Sequence, residues 1–129
     1  TAGQVRSVLD AVTRAGVSLG RVALHFHDTY GQALANVLAG LQAGVSEFDS
    51  SAGGLGGCPY AKSATGNLAT EDLVWLLTGL GIETGVDLDS LVQTSVWMAS
   101  RLGRPSPSRV VTALGSGPRS AQPGRRASA

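Results

Sequence analysis

The stretch 21-RVALHFHDTYGQALANVLAGLQAGVSEFDSS-51 changes its hydrophobic period twice, and those changes set the fold. Its first seven residues, RVALHFH, form a short run apolar enough to be a buried strand. From Gln32 to Gly44 the period is helical, through Ala33, Leu34, Val37, Leu38 and Leu41, and Gly44 is a natural stop. The segment 45-VSEFDSS-51 then reads as a second short strand. Two strands joined through a helix run parallel, because only a long crossover returns the chain to the starting edge.

The flanks extend the same alternation. Upstream, residues 3–15 place Val5, Val8, Leu9 and Val12 at helical spacing before Gly16. Downstream, Thr70 is placed to cap a helix whose first turn holds Glu71 and Asp72, favourable at the positive end of its dipole. Leu73, Val74, Leu77 and Leu80 form the apolar face of that helix. A last helix, about 88–102, is entered through Asp87 and carries Leu88, Leu91, Val92, Val96, Ala99 and Leu102. The order α-β-α-β-loop-α-α indicates an α/β protein with parallel strands.

Composition bounds what such a chain can be. Its 129 residues are sized for one domain, and 43% hydrophobic residues suffice for a core. No apolar run approaches a membrane span, and no charged-then-apolar leader opens the chain. The single cysteine cannot form an internal disulfide, so a cytoplasmic location is expected. Because the sequence opens on Thr1, a piece of a longer protein is expected.

Charge is distributed unevenly. All the acids lie within residues 1–100, with only Arg6, Arg14, Arg21 and Lys62 to balance them, whereas arginines alone are charged from Arg101 onward. Four of the five prolines also lie in that tail, and no aromatic residue does. Residues 1–103 are therefore expected to fold, and residues 104–129 to be a disordered basic tail. Scattered arginines without interleaved aromatics are a weak footprint for nucleic acid, which is not an expected partner.

Two features carry chemistry. On a strand, alternate side chains share a face, so His25 and His27 point together while Leu24 and Phe26 point to the other side. Two imidazoles on one face at a strand's carboxyl end can share a metal ion, or each can satisfy a local hydrogen bond. Asp28 reads as a turn or helix cap. The second feature is the loop 50-SSAGGLGGCPYAKSATGN-67, whose glycines and proline suit neither helix nor strand. Loops of that length usually serve a site, and this one presents Cys58 with glycines before it and Pro59 after it. A lone cysteine is otherwise a small buried hydrophobe, Lys62 a solvated charge, and Asn67 a turn residue. Glu47 and Asp49 receive no assigned role.

The run 25-HFHDTYGQ-32, the loop 54-GLGGCPY-60 and the helix entry 66-GNLATEDL-73 occur in an order and spacing that resemble the carboxyl half of the 3-hydroxy-3-methylglutaryl-CoA lyases. The likeness is specific over residues 25–86 and weaker over 1–24 and 87–104. The first and last motifs also resemble the wider group of metal-dependent TIM-barrel lyases and condensing enzymes named for an Asp-Arg-Glu motif. The cysteine loop singles out the lyases within it.

The resemblance implies the carboxyl-terminal part of a (β/α)₈ barrel, about strands six to eight with their helices. It implies retro-Claisen cleavage of 3-hydroxy-3-methylglutaryl-CoA to acetyl-CoA and acetoacetate, as in leucine degradation and ketone-body formation. By the same resemblance His25, His27 and Asn67 ligate Mg²⁺ or Mn²⁺, and Cys58 and His25 are the catalytic residues. The implied partners are an acyl-CoA substrate and the amino-terminal half of the barrel, with a homodimer left open. These 129 residues contain no Asp-Arg-Glu motif, and a whole barrel needs about 250 residues. The family's aspartate ligand and base, and the arginine that stabilises the enolate oxygen, are therefore expected elsewhere. An inactive fragment that only binds metal or partners, or a related acyl-CoA aldolase or condensing enzyme, is the alternative.

Overall fold

The computed structural model describes residues 1–57 and 66–115. Helix α1 (Ala2–Arg14) leads through a 3₁₀ turn to strand β1 (Ala23–His25), then α2 (Ala33–Ala43) and β2 (Glu47–Asp49). A 3₁₀ turn at Ala52–Gly54 opens the glycine loop, after which come α3 (Thr70–Gly79), α4 (Leu88–Leu102) and α5 (Arg109–Leu114).

β1 and β2 pair in parallel, with Ala23 opposite Glu47, Leu24 opposite Phe48 and His25 opposite Asp49. That register sorts the side chains. Helix α2 lies on the face that carries Leu24 and Phe48, and it does so through Gly40. A Cβ at Gly40 would stand 2.6 Å from Leu24 Cδ1 and 3.1 Å from Phe48 Cε1. Glycine is therefore what lets the helix settle on the sheet. The core continues through Ala33, Val37, Leu68, Leu73 and Leu77, with Phe26, Leu34, Leu41 and Phe48 packed against it. Burial of Phe26 by helical residues on this side leaves the opposite side to the histidines.

The described residues hold two named strands, and a further segment is bonded across their carboxyl ends. Phe26 O accepts from Leu68 N at 3.0 Å, and Gly66 O accepts from Asp28 N at 2.9 Å. Ser51 N donates to Leu68 O and Ser51 O accepts from Thr70 N, at 2.9 and 3.0 Å. These bonds give isolated bridges between His27 and Asn67 and between Ser51 and Ala69.

Two expectations need correction. The N-cap of α3 is Ala69 rather than Thr70, because the bridge with Ser51 holds Ala69 extended and Thr70 is already helical. Thr70 Oγ1 instead pairs with Ser50 Oγ at 2.9 Å. The ordered chain also does not stop at residue 103. Ser108 caps α5 and is itself fully buried, donating to Asp72 Oδ1 at 2.7 Å. Asp72 accepts from Val110 N as well, at 2.9 Å, and Val111 enters the core. A Pro/Ser-rich composition suggests disorder when averaged, yet here individual serines find buried partners. Residues 116–129 of the expected disordered tail lie outside the described residues.

Candidate active site

The site is built at the carboxyl ends of β1 and β2, where side chains of parallel strands project into the open end of a sheet. His25 closes β1, and Asp49, its register partner, closes β2. His25 Nδ1 and Asp49 Oδ1 form a close hydrogen-bonded pair, with both side chains at least half exposed. A ring nitrogen facing a carboxylate carries the proton, which leaves Nε2 as the lone-pair nitrogen of neutral His25.

His27 is two residues further on, and the two rings meet edge to face with centroids 5.1 Å apart and planes at 67°. The shared face expected from strand alternation is present. Asn67 joins them through its backbone bridge to His27. Its side-chain Nδ2 donates to Leu55 O at 3.0 Å, so its oxygen is the atom left to accept from a ligand. Asp28 Oδ1 accepts from Ala33 N, the first N–H of α2, at 2.9 Å, while the N-cap residue of that helix is Gln32.

The base of the glycine loop is closely packed here. A Cβ at Gly66 would collide with the Gly56 carbonyl oxygen, and one at Gly56 would lie 2.7 Å from Asn67 Nδ2. Cys58 and Lys62 lie outside the described residues.

Two imidazoles and an amide oxygen are a donor set that suits a divalent ion with nitrogen and oxygen ligands, and they occupy only part of its coordination sphere. Among the described residues no group of three or more His, Cys, Asp or Glu side chains is disposed to hold a metal. A divalent ion held here would take its remaining ligands from water, substrate or residues beyond those described. Sequence reasoning left Asp49 without a role, because only strand register identifies the residue opposite His25.

The HMGL-like family model matches residues 1–97, and the chain belongs to that family. Among curated relatives, the mitochondrial hydroxymethylglutaryl-CoA lyase of Arabidopsis thaliana is 54% identical over 114 residues, covering 88% of this chain and 24% of that protein. Among solved structures, the HMG-CoA lyase of Bacillus subtilis superposes with a TM-score of 0.85 at 46% identity, over 90% of this chain and 39% of that one. An Acinetobacter baumannii HMG-CoA lyase in complex with coenzyme A and 3-methylmalate gives a TM-score of 0.80 at 42% identity, over 88% of this chain and 37% of that one. The chain thus spans between a quarter and two-fifths of the proteins it resembles. No described helix is long and apolar enough to cross a membrane.

Proposed function

We propose that these residues are the carboxyl-terminal part of a (β/α)₈ barrel, about strands six to eight with their helices. The completed barrel cleaves 3-hydroxy-3-methylglutaryl-CoA to acetyl-CoA and acetoacetate. The observation that carries this reading is the His25–His27 pair at the carboxyl end of a parallel strand, oriented by Asp49 and joined to Asn67. That end is where barrel enzymes assemble their chemistry.

His25, His27 and Asn67 would hold Mg²⁺ or Mn²⁺, which polarises the substrate's tertiary hydroxyl and neighbouring carboxylate. The hydroxyl gives its proton to a base as its oxygen becomes the ketone of acetoacetate. The pair of the breaking carbon–carbon bond passes to the acetyl thioester as an enolate, which takes up a proton to become acetyl-CoA. Cys58 supplies that proton as a general acid. His25 is counted with Cys58 in the reaction because Asp49 engages its Nδ1 and so turns Nε2, the nitrogen that would bind the metal, toward the reacting end. The base and the cation for the enolate oxygen come from the amino-terminal half of the barrel. An acyl-CoA substrate fits the coenzyme A complex of the Acinetobacter relative.

Two measurements on one preparation test this reading. Mn²⁺ titration of the chain should show binding that His27→Ala weakens tenfold or more, the range lost when a metal's immediate surroundings are disturbed. Acetoacetate release should require the amino-terminal half. Unchanged Mn²⁺ affinity in His27→Ala removes His27 from the site, and turnover by the 129-residue chain alone overturns the assignment of the missing base.

A further inference from the structure

A buried carboxyl group remains that the proposed reaction does not use. Glu71 in the first turn of α3 is 0% exposed, and Ser95 on α4 is 1% exposed. Both Glu71 oxygens accept from the Gly53 N–H, at 2.9 and 3.0 Å, and Ser95 Oγ donates to Glu71 Oε1. From the connection between α4 and α5, Ser106 Oγ donates to Gly53 O at 2.9 Å. A carboxyl group withdrawn from water persists only where its oxygens are bonded, so this cluster fixes the Ala52–Gly54 turn in one place.

The turn leads directly to the site. Two residues beyond Gly53, the Leu55 carbonyl accepts the side-chain amide of Asn67 at 3.0 Å. An amide held through its nitrogen has the direction of its oxygen decided for it. We propose that Glu71 and Ser95 are positioning residues for Asn67: they fix the turn, the turn fixes the Leu55 carbonyl, and that carbonyl sets which way the Asn67 amide points. The inference rests on the metal reading above only for the use made of the Asn67 oxygen. If Glu71 and Ser95 merely pin α3 to α4, their loss lowers stability and leaves the Asn67 amide as it was.

The test is solvent exchange of the Asn67 side-chain amide, followed by NMR on the full 129-residue chain without metal, and then a Mn²⁺ titration. Wild type should show slowed exchange. Ser95→Ala should speed it and weaken Mn²⁺ binding tenfold or more, in the range typical of groups that orient a ligand. Val92→Ala, a cavity at another buried position of α4, should lower the melting temperature and leave both readouts unchanged. Ser95→Cys keeps the volume with a weaker donor and should move the readouts in the same direction, even if Ser95→Ala fails to fold. Unaltered Asn67 exchange in either folded Ser95 variant overturns the proposal, as does lost Mn²⁺ affinity with unaltered exchange. Absence of Mn²⁺ binding in wild type counts against the metal reading alone, because the amide is read without metal.

Discussion

Asp49 Oδ1 meets His25 Nδ1 across the parallel register of β2 and β1, so the last residue of one strand sets the tautomer of the last residue of the other. A carboxylate on one ring nitrogen fixes which nitrogen faces a ligand and restrains rotation of the ring. Asp49→Ala should therefore weaken Mn²⁺ binding by about tenfold, while Asp49→Asn, which still offers an acceptor, should weaken it less. Isothermal titration of both variants checks the order. Equal affinity in all three proteins would separate Asp49 from the site.

Cys58 is expected to act on protons rather than on the metal. Cys58→Ser keeps the shape of the side chain and replaces a thiol of pKa about 8.5 with a far weaker acid. In the assembled enzyme, turnover should fall by about 10²-fold or more, with Mn²⁺ affinity nearly unchanged. Metal lost in step with activity would make Cys58 a ligand, and full activity would make it a bystander.

Gly40 decides how closely α2 approaches the sheet. Gly40→Ala gains about 1 kcal/mol in helix propensity, but its methyl displaces Leu24 Cδ1, and overpacking of this kind costs about 1–3 kcal/mol. The net effect should be destabilising by about 1 kcal/mol in denaturant unfolding. The same change made in a Leu24→Ala background should destabilise less, because the clashing methyl is gone. An equal cost in both backgrounds would place the strain elsewhere.

Asp87 caps α4, with Oδ1 accepting from Ser90 N at 2.7 Å. Hydrogen bonding to Ser90, by its side chain first and its backbone N–H second, holds the Asp87 carboxyl below the usual carboxylate range. A carboxyl whose pKa is lower folded than unfolded stabilises the fold above its unfolded value, and that contribution fades as pH falls through the folded value. Wild type should thus melt above Asp87→Ala at pH 5 to 7, with the gap closing below about pH 4. A gap independent of pH would assign the effect to packing.

Much of the architecture is legible in local sequence because it follows from local geometry. The period of Ala33–Leu41 makes α2, and the alternation of 24-LHFH-27 puts the histidine rings together and Phe26 among the core residues. No local signal pairs residues that lie far apart in the chain. Asp49 became the partner of His25 through strand register, 24 positions away. Ala69 displaced Thr70 as the cap of α3 because a bridge to Ser51 fixed its backbone.

The same division separates Glu71 from the role its position suggests. As sequence, Glu71 is an acidic residue in a helix's first turn, where the dipole favours it. In the fold it is a buried acceptor joined to Gly53 and Ser95, and Asp72 beside it gathers Ser108 and α5 into the structure. Sequence alone determined which face of the strand His25 and His27 occupy, since that depends on a period of two. Tertiary structure alone decided which carboxylate orients which group, since a hydrogen bond between distant residues forms only after packing has brought its donor and acceptor together.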